Sequence, residues 1–130
     1  LIHQDYDTLI DNNKYPSIAV KIVEHKFSEI GNCVEKRNAN LRMCSISEYS
    51  EDKDSENVFI KIGGTPFLIQ DEETYYKELE EHGFFFFLSI DEDGYSEDVI
   101  IGSYPFGYGA LYLYKHHMTN EIIAGFWQYS

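Results

Sequence analysis

The sequence of 130 residues has few cysteines, few basic residues and no long apolar run. Its two cysteines, Cys33 and Cys44, are too few for a disulfide framework and lack the spacing of a metal knuckle. They lie on segments that we expect to be neighbouring strands, so a disulfide between them is possible but not required. We interpret both as small buried hydrophobic residues. No apolar run reaches the roughly 18 residues that span a bilayer, and the first ten residues lack a signal-peptide pattern, so we expect a cytoplasmic protein.

The shortage of basic residues leaves a strong negative charge. Ten Lys and Arg stand against 23 Asp and Glu, which gives a formal net charge of −13 at pH 7. This charge repels phosphate backbones and anionic lipid, so we expect neither nucleic acid nor a membrane as a partner. A basic protein would instead be attracted and steered toward the chain. The alternative, that the acidity serves only solubility, stays open.

The apolar content indicates a folded chain. Hydrophobic residues make up 43% of the sequence and aromatic residues 16%, including 11 Tyr and 9 Phe, which is more than disordered chains carry. The length suits one domain, residues 1–130. The patterns along it predict an α+β fold with a mainly antiparallel β-sheet of roughly eight short strands and one or two helices.

Local patterns place the predicted elements. Helical spacing of apolar residues predicts helices at 2–13 and 71–81, the second with Asp71 as its N-cap and Gly83 as its stop. Residues 84–90 are apolar on both faces, which predicts a central strand covered on both sides. A tight turn at 91–94 then predicts a hairpin with 95–101. Further strands are predicted at 17–27, 33–37, 41–46, 58–62, 110–114 and 121–129, with a short extended piece at 66–70 and an exposed acidic loop at 47–57.

No motif predicts catalysis or a cofactor. Residues 91–98 are acidic like a calcium loop, but the EF-hand glycine would fall at Ser96 and the twelfth residue is Gly102 rather than Glu. His116 and His117 are adjacent on an extended chain and would point to opposite faces, which disfavours a shared metal. No GxSxG elbow or phosphate-binding loop is present, and 23 acids offer no distinctive acid–base pair. We therefore nominate no catalytic residue, metal ligand or cofactor, and expect a protein that is not an enzyme.

The most unusual feature is a run of aromatic residues between positions 104 and 114. Alternation along 108–114 places the tyrosines on one face of a strand and the two leucines on the other. Packing in the core of a small sheet is the first interpretation of these rings. The alternative is a surface beside acidic residues, which would suit a cationic partner through steering and cation–π contacts. The candidate partner-binding residues are Asp91, Asp93, Glu97, Asp98, Tyr104, Tyr108 and Tyr112.

Four short motifs follow one another in the second half of the chain. Residues 63–70 read GGTPFLIQ, residues 86–91 read FFLSID, a strand rich in glycine and aromatics covers 104–114, and residues 126–128 read FWQ. In this order they resemble the YwqG-like family of bacterial proteins, which shares GGxPxxxQ, FLxQID and a terminal WQ, although Ser89 replaces the usual Gln and residues 1–57 do not align. The resemblance implies a β-rich intracellular domain without a transferable activity. The polar positions that match its motifs are Gln70, Asp91 and Gln128, where satisfying buried backbone groups is the alternative to ligand contact.

Three functions stay open at this point. The favoured one is an acidic inhibitor, an immunity-type protein that neutralises a basic toxin such as a nuclease, and it predicts salt-sensitive binding to a basic partner. The second is a small-ligand or peptide-binding module of the YwqG-like type, which predicts a concave site lined by Tyr and Phe. The third is an enzyme with dispersed acid–base residues, which predicts a cleft whose groups have perturbed pKa values.

Overall fold

The fold is given by a computed structural model that describes residues 25–27, 42, 45–46, 48–51, 58–96, 98–104 and 108–129. The predicted helix at 2–13, the predicted strand at 33–37 and both cysteines lie outside these residues. Residues 25–27, 42 and 45–46 have no regular secondary structure, so the strands predicted at 17–27 and 41–46 do not extend over them. Residues 48–51 of the predicted acidic loop are exposed. One domain over 1–130 stays a prediction.

The described residues form one antiparallel sheet with the strand order β1-β2-β3-β4. Its strands are β1 (Ile60–Ile62), β2 (Phe84–Asp91), β3 (Gly109–His116) and β4 (Ile122–Tyr129). The prediction of an antiparallel α+β fold is confirmed. The predicted number of roughly eight strands is wrong for this part of the chain, which has four. β2 pairs with both β1 and β3, as expected for an interior strand.

The predicted hairpin between residues 84–90 and 95–101 is wrong, because β2 pairs with β3 instead. A 3₁₀ helix, Glu92–Gly94, follows β2 directly, and the Asp91 carboxylate accepts a hydrogen bond from the Asp93 N–H at 3.0 Å. The chain crosses Phe59 closely here, since a Cβ on Gly94 would lie 2.3 Å from the Phe59 nitrogen. Turn hydrogen bonds then satisfy the next backbone groups, including Val99 N–H to Ser96 O at 3.0 Å. The Val99 carbonyl accepts from the Arg42 N–H at 2.8 Å, so these backbone groups are satisfied without a ladder to β2.

The segment predicted as one helix over 71–81 is split in two. It contains the 3₁₀ helix Glu73–Tyr75 and the short helix α1 (Lys77–Glu81), separated by Tyr76 with a non-helical φ of −121°. Asp71 is not the N-cap, because Glu72 precedes the first helix and its side chain makes no capping bond. Gly83 ends the segment in the left-handed region at φ 82°, as predicted. A helix of five residues is unstable alone, so the packing of buried Leu79 against the sheet holds α1 in place.

The two faces of the sheet differ in their cover. One face packs under α1 and forms the larger core, with Tyr112, Tyr114 and Phe126 at its centre. The other face carries a smaller cluster built on Leu111, Leu113 and Ala124. The predicted alternation of tyrosines and leucines along β3 is therefore confirmed. β2 was predicted to be covered on both faces. It is covered only in part, because the side chain of Phe85 is exposed.

Within the described ranges, no helix is long and apolar enough to cross a membrane.

Candidate functional site

A buried carboxylate at the end of β2 organises the candidate site. Glu92 is 1% exposed, and its Oε2 accepts hydrogen bonds from the backbone N–H groups of Tyr108 at 2.9 Å and Gly109 at 3.3 Å. Hydrogen bonds to a charged acceptor are stronger than neutral ones, so Glu92 ties the 3₁₀ helix to the start of β3. Sequence reasoning missed this residue, because nothing in the acidic run 91–93 marks which carboxylate points inward.

Tyr108 is held by Glu92 in a strained backbone conformation. Its φ is 65°, in the left-handed region that bulky residues rarely occupy, and its side chain is 59% exposed. Such a conformation costs on the order of 1–3 kcal/mol and persists only where the surroundings enforce it. Here the buried carboxylate of Glu92 enforces it through the Tyr108 N–H. Holding Tyr108 in this conformation therefore lowers the stability of the fold, although the side chain remains exposed to solvent.

Four rings lie in succession from β1 to this exposed tyrosine, and we call them the aromatic row: Phe59, Tyr95, Tyr104 and Tyr108. Ring centroids are 4.8 Å apart between Phe59 and Tyr95, and 6.4 Å apart between Tyr95 and Tyr104. Tyr104 and Tyr108 are closest, at 4.1 Å with an interplanar angle of 32°. Contacts at these distances orient rings and limit their rotamers. The exposed ring of Tyr108 is thus held in place by the rings that precede it in the row.

Carboxylates border the aromatic row. Asp91 and Asp93 flank Glu92, with Asp93 exposed and Asp91 half-buried. Asp98 is exposed and accepts a hydrogen bond from the Ser96 hydroxyl at 2.8 Å, in the turn that follows Tyr95. No basic side chain among the described residues forms a salt bridge with any of these three aspartates. We call Asp91, Asp93, Asp98, Tyr104 and Tyr108 the aromatic–acidic surface; Glu97, also predicted for it, lies outside the described residues.

Burial changes the acidity of Asp91. Desolvation raises its pKa above the ordinary value, the hydrogen bond from the Asp93 N–H opposes this rise, and the nearby Asp93 carboxylate adds to it. The charged form of Asp91 is therefore less favourable in the folded protein than in the unfolded chain. The fold retains a carboxylate there at a cost in stability.

Tyr112 lies in the core rather than on the surface predicted for it. It is 0% exposed and stacks on Phe126 at 4.7 Å between ring centroids. Its hydroxyl donates to the Phe67 carbonyl at 2.8 Å and accepts from the Ile69 N–H at 3.4 Å. Burial raises the pKa of Tyr112 to about 12. The alternation of β3 already placed Tyr112 on the inner face, and the side chain serves to fasten residues 67–69 to the sheet.

Gln70 and Gln128 form a reciprocal clamp across the same face. The Gln128 amide nitrogen donates to the Gln70 carbonyl at 2.7 Å, and the Gln70 N–H donates to Gln128 Oε1 at 3.1 Å. The Tyr75 hydroxyl donates to the side-chain oxygen of Gln70. Gln128 is 2% exposed and lacks room for a ligand. Two of the three family-motif positions thus satisfy backbone groups of an irregular segment.

A cleft of about 740 Å³ opens between residues 63–68 and α1. This volume is within the range of ligand sites. The cleft was not predicted, because its lining comes from segments separated in sequence by up to fifty residues. Its lining residues are Gly63, Gly64, Thr65, Pro66, Phe67, Leu68, Asp71, Tyr76, Glu80, Phe85, Phe86 and Tyr114.

His116 and His117 lie together rather than on opposite faces, because β3 ends at His116 and the chain turns there. Their rings stack at 5.0 Å between centroids. His116 Nδ1 accepts from the backbone N–H groups of Met118 and Thr119, both at 3.2 Å, and His117 Nδ1 lies 2.7 Å from the Gly83 carbonyl. These contacts shape the turn between β3 and β4. Across the described ranges, no group of three His, Cys, Asp or Glu residues could hold a metal ion.

Neither a family model, a curated protein nor a solved structure matches this chain. The resemblance to the YwqG-like family stays a prediction that rests on its four short motifs.

Proposed function

We propose that this chain is an acidic protein-binding inhibitor of the immunity type, a cytoplasmic protein that neutralises a basic toxin, for example a nuclease. The aromatic–acidic surface would contact the toxin. The observation that carries the proposal is Tyr108, whose strained backbone is fixed by the buried Glu92 while its side chain stays exposed. Backbone strain is typical of functional sites, and exposed tyrosines are frequent anchors of protein interfaces.

Charge supports the same partner class. The formal net charge is −13, and Asp91, Asp93 and Asp98 have no basic side chain bound to them in the part of the chain that the structure describes. Lys and Arg side chains of a partner could pair with these carboxylates and lie over the ring of Tyr108. Long-range attraction would raise the rate of association, and salt would lower it.

Capture experiments with paired variants test the proposal. The purified chain is used as bait in a lysate of its own source at low salt, beside Tyr108→Gly and the control Tyr49→Ala, which removes another exposed tyrosine. We expect a basic protein bound in stoichiometric amount by the wild type and by Tyr49→Ala, released by salt, and lost with Tyr108→Gly. Glycine adopts φ 65° without strain, so the stability of Tyr108→Gly should stay within about 1 kcal/mol of the wild type.

Two results would count against the proposal. The first is that no basic protein is retained, and the second is that Tyr108→Gly retains it as well as the wild type does. Inhibition is tested separately, by adding the chain to the captured protein and following its activity on nucleic acid. We expect complete inhibition at one equivalent by the wild type and none by Tyr108→Gly.

Asp91→Asn should separate stability from binding. The folded pKa of Asp91 is raised above its unfolded value, so the stability from its protonated form is complete below the unfolded pKa and is lost as the pH rises through the folded pKa. Asn cannot ionise and keeps an oxygen for the Asp93 N–H. Urea unfolding should therefore show Asp91→Asn to be more stable than the wild type at pH 7, with the difference vanishing near pH 3. Partner binding should weaken, and lower stability at pH 7 would refute this assignment.

A small-ligand or peptide-binding module is the second candidate, and the cleft is the observation that favours it. Phe67, Tyr76 and Phe85 contribute to a concave site of suitable volume, as this function requires. The cleft and the aromatic–acidic surface lie toward opposite ends of β2, since Phe85 and Phe86 line the cleft and Asp91 ends the strand. Each function can therefore be tested without the other.

A further inference from the structure

The charge of the cleft limits which ligands it can take. Two carboxylates, Asp71 and Glu80, line it, and none of the described residues that line it is basic. The nearest base on the helical segment, Lys77, pairs with Glu73 at 3.2 Å. Neither lining carboxylate makes a side-chain hydrogen bond or salt bridge with a described residue. An anionic ligand would meet repulsion at both carboxylates, and a cation would meet attraction.

A buried tyrosine lines the same space. The Tyr114 ring is 1% exposed and packs between Phe86 and Phe126, at 6.1 and 5.8 Å between centroids. Its side chain lines the cleft, yet its hydroxyl has no hydrogen-bond partner among the described residues. Buried hydroxyls are nearly always paired, so an unpaired one at a cavity wall indicates a missing partner. Burial, and then the charge of Glu80, raises the pKa of Tyr114, so the hydroxyl stays protonated and offers its oxygen lone pairs to a donor.

Aromatic rings complete the lining. Tyr76 lies beside the two carboxylates in the lining, and Phe67 and Phe86 belong to it as well. At the rim, the chain's own Lys61 Nζ lies 4.3 Å from the centroid of the Phe67 ring. That contact shows that the Phe67 ring already accommodates an ammonium group. Rings next to carboxylates are suited to a cation carried on an apolar chain.

We infer that the cleft binds an organic cation, a primary ammonium or a guanidinium group on an aliphatic chain. Its N–H groups would donate to Asp71, Glu80 and the Tyr114 oxygen, and its methylene groups would lie against Tyr76. This ligand class rests on the second candidate function, the small-ligand or peptide-binding module, and makes it more specific. The group could come from a free amine or from a Lys or Arg side chain of a peptide.

Isothermal titration with matched probes tests the inference. We expect saturable binding of n-pentylammonium and n-butylguanidinium, and no binding of n-pentanol or valerate. A capped Gly-Lys-Gly peptide, compared with its norleucine counterpart, distinguishes the two sources. If the peptide binds more tightly than n-pentylammonium by about tenfold or more, a side chain is the ligand; the reverse identifies a free amine.

Variants assign the binding to this cleft. Glu80→Gln should weaken n-pentylammonium binding by about tenfold, whereas the control Glu81→Gln, which removes an equal charge from the same helix, should change it less than about twofold. Tyr114→Phe should also weaken binding by several-fold while leaving thermal stability unchanged or higher, because it removes an unpaired buried hydroxyl. A purely structural hydroxyl would give the opposite result, lower stability and unchanged binding.

Each remaining outcome is decisive. If n-pentanol binds as well as n-pentylammonium, the cleft is a ligand site but not a cation site, so the second candidate function survives and this inference fails. If no probe binds, both fail. Equal effects of Glu80→Gln and Glu81→Gln would show general charge attraction rather than a site, and would also overturn the inference.

Discussion

Glu92→Ala is expected to lower the free energy of unfolding by about 4 kcal/mol. The substitution leaves the backbone N–H groups of Tyr108 and Gly109 without their acceptor, and it opens a cavity where a buried side chain stood. An unsatisfied buried donor such as the Gly109 N–H costs about 1–3 kcal/mol, the partly buried Tyr108 N–H adds less, and the cavity adds to this loss. The start of β3 would lose its tie to the 3₁₀ helix. Urea unfolding followed by the fluorescence of Trp127, the only tryptophan, measures the effect.

Glu92→Gln is the matched control. Gln has the same shape and keeps one side-chain oxygen, which can still accept from the Tyr108 N–H, so the loss should be near 1 kcal/mol. The two variants should also differ in partner capture, since Glu92→Gln keeps Tyr108 in place. If the free energy of unfolding of Glu92→Ala lies within about 1 kcal/mol of the wild-type value, the carboxylate does not organise this surface.

Gln128→Leu has the second large expected effect, a loss of about 3 kcal/mol in the free energy of unfolding. Leu fills a similar volume but cannot bond to Gln70, so the Gln70 N–H loses its partner and the Gln70 carbonyl keeps only the bond from the Glu72 N–H at 3.0 Å. Gln128→Glu should also be destabilising, because one carboxylate oxygen can accept from the Gln70 N–H while the other faces the Gln70 carbonyl. The same urea titration quantifies both variants.

Gln70→Ala tests whether the clamp depends on the backbone of Gln70 or on its side chain. This variant keeps both backbone bonds to Gln128 and loses only the hydrogen bond from the Tyr75 hydroxyl, so its cost should be about 1 kcal/mol. Equal losses for Gln70→Ala and Gln128→Leu would contradict the clamp. A Gln128→Leu variant as stable as the wild type would likewise show that the clamp does not stabilise the fold.

Strand periodicity was sufficient to predict where the four strands of the described sheet lie, but not the number of strands or their pairing. The alternation of Tyr112 and Tyr114 with Leu111 and Leu113 fixed both faces of β3, and glycine at position 83 marked the end of the helical segment. Pairing partners were harder to predict. Residues 95–101 have a strand-like composition, but the close approach of Phe59 to Gly94 and the turn bonds that follow keep them out of the sheet. Such long-range contacts leave no mark in a local pattern.

The candidate site was predicted in part. Tyr104 and Tyr108 lie in ring contact, and Asp91 pairs with Ala110, two residues after Tyr108, while their part in binding stays a prediction. The inward turn of Glu92 could not be read from three consecutive acids, since the choice depends on which carboxylate reaches free N–H groups. The cleft depends on the packing of residues 63–68 over a face that includes Tyr114, so its lining is a tertiary property.

The affinity of the captured basic protein for the wild type and for Tyr108→Gly, measured by titration at about 50 and about 300 mM salt, tests the central claim most directly. The account predicts tight binding by the wild type that weakens with salt, and binding by Tyr108→Gly at least about a hundredfold weaker under both conditions. Equal affinities for the two proteins would contradict it, because the strained and exposed tyrosine would then have no part in recognition.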